Sequence, residues 1–277
     1  MKLGRLYRSA LTIALAGMLS ILTVLPGQAA NTVTVTAGNM QGWLFYNDET
    51  DQVNNALGSF VTGPGTAPLG VGSAQISVTG TQRRNLATYQ FAGTVLSTIN
   101  TLKYSTYNPS AGNGGSANNA GYLQFNVDFN GTDTWQRRLV FVPKDNGTVV
   151  QNSWQEWSAS TSGALWRYSG PTWPGTVISG TTPRTWSEIL SSYPGVRIRV
   201  TDAFLGIRVG EPYPAGYTEN IDAFKFGAGS QSVEFNFEPT IGPPTDKDQC
   251  KKGGWKQFNT PTYKNQGGCV SSVASGH

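Results

Sequence analysis

Histidine and cysteine are nearly absent from this sequence, and their scarcity limits the chemistry it can perform. The 277 residues include one histidine, His277, which is the last residue. Ser–His–Asp and Cys–His catalytic arrangements, and histidine-based zinc or copper sites, all need a histidine within the folded part. The two cysteines, Cys250 and Cys269, lie near the C-terminal end. A lone pair of this kind predicts a disulfide in an oxidising compartment rather than a catalytic thiol.

Long hydrophobic runs are also missing, apart from one near the N-terminus. Residues 1–8 are basic and polar, residues 10–25 are almost wholly apolar, and residues 26–30 (PGQAA) offer small side chains. This order is typical of a secretory signal peptide that is cleaved after Ala29 or Ala30. A membrane anchor is the alternative reading, but the apolar run is short for a bilayer span. We therefore expect residues 1–30 to be removed, leaving a secreted chain with no membrane partner, released or associated with the cell wall.

Charged residues are few, at 13% of the chain, and they are distributed unevenly. Beyond residue 30 there are 17 lysines and arginines against 16 acidic residues. From Thr245 onward five lysines stand against two aspartates, so the preceding body holds 12 basic and 14 acidic residues. Nucleic-acid-binding proteins carry a basic patch on their folded part, so nucleic acid is not an expected partner. The C-terminal lysines suit weak attraction to anionic wall polymers.

The body of the chain shows many strand patterns and almost no helical ones. Alternating apolar and polar residues, separated by Gly, Pro and Asn turns, occupy residues 32–37, 74–79, 122–129, 137–142, 196–200 and 233–238. Such short, evenly spaced strands predict an all-β sandwich or barrel. Residues 185–193 (TWSEILSSY) are the exception, because a polar start and helical spacing predict one short helix that Pro194 ends.

The composition divides the chain into four parts. A signal peptide (1–30) precedes a β-sandwich domain (31–240), and a Pro-rich linker (241–247) leads to a disulfide-bridged C-terminal tail (248–277). A chain of this length can bury a full sandwich core as one domain.

Tryptophan is the best functional lead, because six of the eight lie between positions 135 and 186. Rings in Gly/Pro-rich loops offer flat faces that suit stacking on sugars or on a partner surface. The alternative is that tryptophans fill the ends of the sandwich core. Trp43 and Trp135 sit within strand patterns and are expected in the core. The predicted ligand-binding residues are Trp166, Tyr168, Trp173, Trp154 and Trp157.

Acidic residues offer two further possibilities, catalysis and calcium binding. A carboxylate pair could hydrolyse glycosidic bonds, and the candidates near aromatic residues are Asp128, Asp133, Glu156, Glu211 and Asp222. Oxygen ligands around a Gly turn could hold calcium at Asp128, Asn130 and Asp133, although Asn130–Gly131 more simply predicts a hairpin. A structural calcium could also join early and late strands through Asn47 or Asp48 with Asp222 or Glu238. No phosphate-binding Gly loop is present, and no other cofactor is expected.

Two segments resemble known families of secreted bacterial proteins. Residues 43–48 (WLFYND), 63–64, 68–73, 221–224 (IDAF) and 233–238 (VEFNFE) resemble a secreted β-sandwich family with a galactose-binding-like jelly-roll layout, which many carbohydrate-binding modules share. The resemblance implies that an early strand and the final strand lie together, but it implies no activity. Residues 250–255 (CKKGGW) with 264–270 resemble a C-terminal extension found on assorted secreted bacterial proteins.

These observations lead to one expected function and two alternatives. We expect a secreted, non-catalytic jelly-roll protein that binds extracellular or cell-wall polysaccharide through loop aromatics. A structural or adhesive surface protein that binds proteins or itself is the first alternative. A glycan-cleaving enzyme with a carboxylate pair is the second.

Overall fold

A computed structural model describes residues 31–111, 117–210 and 216–275. The predicted signal peptide (1–30), Glu211 and His277 lie outside these residues. Within them, sixteen strands form two sheets, and their bounds are β1 (Asn31–Val35), β2 (Trp43–Asn47), β3 (Gln52–Val53), β4 (Gly58–Thr62), β5 (Gly72–Val78), β6 (Arg83–Thr88), β7 (Ile99–Tyr107), β8 (Tyr122–Asp128), β9 (Arg138–Phe141), β10 (Trp154–Ser158), β11 (Leu165–Tyr168), β12 (Arg184–Thr185), β13 (Arg197–Ile198), β14 (Leu205–Gly210), β15 (Tyr217–Ala228) and β16 (Gln231–Phe237).

Helices are short in the same residues. The α-helices are α1 (Pro143–Asn146), α2 (Trp186–Ser192) and α3 (Gln266–Ser275), and 3₁₀ turns cover Asn55–Leu57, Leu96–Thr98 and Lys247–Gln257. Helix α2 forms where the sequence predicts it, because Thr185 and Glu188 make a reciprocal capping box. Ile189 of this helix is fully buried, which anchors its apolar side in the core.

The smaller sheet has seven strands arranged around the long strand β15. Strand β15 pairs with β5 through Tyr217–Ile221 and with β16 through Phe224–Ala228, while β7 runs antiparallel beside both parts. Strand β10 extends the sheet beyond β7, and β4 extends it beyond β5. The first strand, β1, pairs in parallel with β16. The early and final strands therefore lie together, as the resemblance implies.

The larger sheet has the order β12-β11-β9-β8-β14-β6-β2-β3, with β13 added to β8. Its inward side chains pack against those of the smaller sheet to form the core. Trp43 of β2 is 2% exposed and meets Phe224, Phe235 and Phe237 of the facing sheet edge-on, with ring centroids 5.0–5.3 Å apart. These contacts confirm Trp43 as a core residue. The predicted all-β jelly-roll sandwich is confirmed, with a small disulfide-bridged extension after its last strand.

The C-terminal extension packs around its disulfide. Cys250 and Cys269 are bonded and fully buried, with Phe258 beside them and Trp255 partly covering them. The side chain of Asn259 donates a hydrogen bond to the carbonyl of Pro239, at 2.7 Å, and so connects the extension to the end of the sandwich. No helix in the described residues is long and apolar enough to cross a bilayer.

Loss of the disulfide is expected to unfold the extension while the sandwich stays folded. The bond closes a loop between residues 19 positions apart, and a loop of this size gains about 3 kcal/mol in the chain-entropy model. The Cys250→Ala/Cys269→Ala variant should therefore lose amide protection in residues 247–275 when followed by hydrogen exchange. Equal protection with and without the bond would show that packing alone holds the extension.

Candidate functional site

Four of the five aromatic residues predicted to bind ligand are buried. Trp166 and Trp173 have no exposed surface, while Trp157 and Tyr168 are 6% and 8% exposed. Trp166 points inward from β11, where its ring meets Phe125 and Phe141 and its Nε1 donates to the carbonyl of Ala159 at 2.8 Å. The expectation that these rings stand on exposed loops is wrong, because Trp157 lies on β10, Trp166 and Tyr168 lie on β11, and Trp173 packs against Tyr168.

Trp154, the fifth predicted residue, is half-buried on the smaller sheet. Its Nε1 donates to the carbonyl of Pro64 at 2.9 Å, and its ring tilts against Tyr107 at 5.6 Å. Part of this side chain therefore packs on the loop that contains Pro64, and the rest faces solvent.

Trp135 is more exposed than predicted, whereas the preceding aromatic residues are more buried than predicted. It was expected in the core, yet half of its surface is exposed. The reason is that β8 ends at Asp128 and β9 begins at Arg138, so Trp135 lies in the connecting loop instead of a strand. The side chain of Arg138 covers part of the ring, with its guanidinium carbon 5.9 Å from the centroid.

The loop between β8 and β9 is organised by the carboxylate of Asp128. That carboxylate accepts hydrogen bonds from the backbone N–H groups of Asn130, Gly131 and Asp133, and from Gln136 and Arg197. Although burial opposes it, the hydrogen bonds from Arg197 and the backbone hold the pKa of Asp128 below its ordinary value. The antiparallel pairing of β8 with β9 confirms the predicted hairpin.

The carboxylate of Asp133 also accepts hydrogen bonds from protein groups. Its carboxylate accepts from the Thr201 hydroxyl and from the N–H groups of Val200 and Thr201, which lowers its pKa. The side-chain oxygen of Asn130 accepts from Thr132 and Gln136, so the predicted calcium ligands Asp128, Asn130 and Asp133 all direct their oxygens toward protein donors. No cluster of three or more His, Cys, Asp or Glu side chains suited to a metal occurs in the described ranges. The structure therefore gives the calcium prediction no support.

The outer side of the larger sheet carries the candidate site. Along β8 the residues Leu123, Phe125 and Val127 point into the core, so the alternate residues Tyr122, Gln124 and Asn126 point to the other side. Neighbouring strands add polar and aromatic groups in the same way. We call this surface the Trp135 face, and its central residues are Asp48, Tyr122, Gln124, Trp135, Arg138 and Arg208.

Asp48 holds the arginines of the Trp135 face in place. Its two carboxylate oxygens accept from Arg138, at 2.9 Å, and from Arg208, at 3.3 Å. Arg138 also donates to the side chain of Asn126 at 3.0 Å, and the guanidinium of Arg208 lies 5.0 Å from the ring centroid of Tyr122. The side chains of Asp48, Arg138 and Arg208 are 5%, 15% and 18% exposed. Such a partly buried network fixes the donors in defined directions.

Two adjoining cavities open on the Trp135 face. The first, of about 390 Å³, is lined mainly by polar groups around Trp135, including Asp51 and Arg137. The second, of about 370 Å³, shares Trp135, Arg138 and Asp51 and adds the rings of Tyr46, Tyr89 and Phe204. Burial and the adjacent Asp51, which accepts from the Tyr46 hydroxyl at 3.1 Å, raise the pKa of Tyr46. Burial likewise raises the pKa of Tyr89, so Tyr46 and Tyr89 both remain neutral hydroxyl groups at ordinary pH.

The other acidic candidates lie elsewhere. Glu156 is an exposed residue that pairs with Lys103 at 2.8 Å. Asp222 is fully buried, where it accepts from the N–H groups of Leu69 and Phe237, and Glu238 accepts from Val71. Since Asp48 belongs to the Trp135 face, the expectation that it joins Asp222 or Glu238 in a calcium site is wrong. Asn47 likewise uses its side-chain oxygen within its own turn, accepting from the N–H of Glu49.

A larger cavity, of about 910 Å³, lies between β1 and the extension. Threonine, asparagine, glutamine and lysine side chains dominate its lining, and its one aromatic ring, Phe258, is itself 6% exposed. It therefore offers no ring face comparable with that of Trp135.

The sequence contains a weak signal for the Trp135 face, which a search based on clustered aromatic residues does not detect. Polar residues at alternate positions of β8 mark a strand that has one apolar side and one side rich in hydrogen-bonding groups. What no local pattern reveals is that Asp48, Arg138 and Arg208 meet, since 160 positions separate Asp48 from Arg208.

Comparisons with known proteins give one structural likeness. No family model matches the chain, and no curated protein sequence matches it. A solved structure concerning the promiscuous specificity of carbohydrate-binding modules from the β-sandwich superfamily is similar over 69% of this chain, with 16% identity and a TM-score of 0.33. The similar region spans 58% of that structure's chain, which is less than two thirds of its length. The fold described above rests on this chain's own strand pairing.

Proposed function

We propose that this chain is a secreted, non-catalytic protein that binds carbohydrate on the Trp135 face. The observation that carries the proposal is the half-exposed ring of Trp135 beside an arginine–aspartate network on the outer side of the larger sheet. A sugar presents a nearly apolar ring face and a rim of hydroxyl groups, so it needs an aromatic surface with polar groups around it. The Trp135 face supplies both within two adjoining cavities.

The acids of this face support binding more than hydrolysis. A glycosidase needs one carboxyl group whose pKa is raised, so that it can protonate the leaving oxygen. Asp48 instead directs its two carboxylate oxygens to Arg138 and Arg208, so neither oxygen is free to protonate a leaving group. The carboxyl groups whose pKa values are raised, those of Glu219, Asp222 and Glu238, do not line either cavity of the Trp135 face.

Secretion is supported by two independent features. The first thirty residues have the order of a signal peptide, and the Cys250–Cys269 bond is of the kind that persists in oxidising compartments. Polysaccharides of the cell surface and its surroundings are therefore the proposed partners.

Replacement of Trp135 by alanine is expected to weaken glycan binding about tenfold or more, because it removes the stacking ring. Calorimetry and pull-down against a panel of polysaccharides would measure the effect. Trp154→Ala is the matched control, since it removes a half-buried ring from the other sheet. Binding that depends on Trp154 and is indifferent to Trp135 would contradict the proposed face.

A further inference from the structure

We propose that the ligand of the Trp135 face is an acidic glycan whose carboxylate binds Arg137, an inference that rests on the proposed carbohydrate function. Arg137 lines the first cavity together with Trp135, two positions earlier in the same loop. An arginine fork pairs with a carboxylate through two parallel hydrogen bonds. The ring of a uronic acid would then lie on Trp135 while its carboxylate reaches Arg137.

The charges of the cavity are unequal. Four arginines line it, Arg83, Arg137, Arg138 and Arg208, against two aspartates, Asp48 and Asp51. Glu49, just outside the lining, pairs with Arg83 at 3.2 Å. With Glu49 included, one positive charge remains in excess. This excess occurs although the body of the chain has more acidic than basic residues.

Arg137 is the residue that carries this excess positive charge. Arg138 and Arg208 share Asp48, whereas the side chain of Arg137 has no ion-pair or hydrogen-bond partner among the described residues. An arginine that is left unpaired beside three paired ones is available to a ligand. An anionic group of a ligand in the cavity would form the ion pair with Arg137 that none of the protein's own acids forms.

The backbone at Arg137 gives a second, independent indication. Its φ of 70° lies in the left-handed region, which an arginine seldom adopts because the side chain makes it energetically unfavourable. Such conformations cluster at ligand sites, where the surrounding structure maintains them. Here the maintaining contacts are close by, because the carbonyl of Arg137 accepts from the N–H of Val127 at 3.2 Å and the carbonyl of Gln136 accepts from the Tyr168 hydroxyl at 3.0 Å.

The test compares polygalacturonate with its fully methyl-esterified form, which keeps the sugar ring and removes the charge. We expect the unmodified protein to bind the free acid at least about tenfold more tightly than the ester, and more weakly as salt is added. Arg137→Gln should remove this preference, so that the free acid and the ester bind with similar affinity. Arg137→Lys should restore part of it, because a lysine supplies charge without the fork.

A lysine on the extension provides the matched control. Lys264→Gln changes the net charge by the same amount at an exposed position away from both cavities, so it should retain the preference for the acid. If Lys264→Gln costs as much as Arg137→Gln, the attraction is diffuse and the inference is overturned.

The outcomes also separate this inference from the proposed function. Equal binding of acid and ester, both lost in Trp135→Ala, would overturn the carboxylate assignment and leave carbohydrate binding intact. Absence of binding to these two polymers and to every polysaccharide of a neutral and acidic panel would overturn both.

Discussion

Raising the pH from about 5 to about 9 is expected to lower the unfolding free energy of the unmodified chain by roughly 4 kcal/mol more than that of Glu219→Gln. Glu219 lies on β15, fully buried, and neither carboxyl oxygen has a hydrogen-bond partner among the residues that the structure describes. Burial raises its pKa from 4.5 to about 8, and the backbone of Gly121 and the side chain of Thr106, which lie close by without reaching hydrogen-bond geometry, offset this only in part. The substitution replaces an ionisable group by a neutral one of the same shape.

The direction follows from proton linkage. Between about pH 4.5 and pH 8 the folded protein retains the proton of Glu219, whereas the unfolded chain has released it. This contribution to stability is therefore complete below pH 4.5 and is lost as pH rises through the folded-state pKa. Asp222, whose pKa burial raises to about 7, acts in the same direction. That part of the pH dependence persists in Glu219→Gln.

Urea unfolding at a series of pH values, followed by tryptophan fluorescence, would measure the difference. Glu156→Gln is the control, because it makes the same substitution at an exposed position. If the unfolding free energies of the unmodified chain and Glu219→Gln changed by the same amount with pH, the prediction would be contradicted, whatever the constant difference between them.

Trp166→Ala is expected to lower the free energy of unfolding by about 3–5 kcal/mol, the usual cost of deleting a large buried ring. Trp166 has no exposed surface and packs against Phe125, Phe141 and Trp186. The deletion leaves a cavity between β11 and helix α2, and it also leaves the carbonyl of Ala159 without its indole donor. Denaturant titration would give the change directly.

Trp135→Ala is the comparison that makes this result informative. Its ring is half exposed, so its loss should change the unfolding free energy by about 0.5 kcal/mol or less. Trp166→Ala should therefore destabilise the fold, and Trp135→Ala should weaken binding while the fold is kept. A small effect of Trp166→Ala on stability would mean that its ring is exposed in solution, as the sequence first predicted.

Most of the fold could be predicted because its signals are local. Alternation in residues 122–129 and 137–142 marks β8 and β9, and Asn130–Gly131 marks their turn. Thr185 and Glu188 mark the start of helix α2. These features depend on side-chain periodicity and capping, which neighbouring residues determine.

The site could be predicted only in outline, because exposure depends on contacts between distant segments. Trp166 and Trp173 stand among Gly and Pro residues, which favours exposed loops, but the chain folds these rings against β8, β9 and Tyr168. Trp135 stands beside a strand pattern, yet the network around Asp128 lengthens the loop and leaves that ring outside. The sequence therefore predicted exposure for rings that are buried, and burial for the ring of Trp135, which is half exposed.

The parallel pairing of β1 with β16 has a consequence for how the molecule can be held. Both strands belong to the smaller sheet, and the extension continues from β16 and hydrogen-bonds back to Pro239. The Trp135 face is on the outside of the other sheet. A molecule anchored through its extension is therefore held at the edge of the smaller sheet, and the strands that carry the Trp135 face take no part in the attachment.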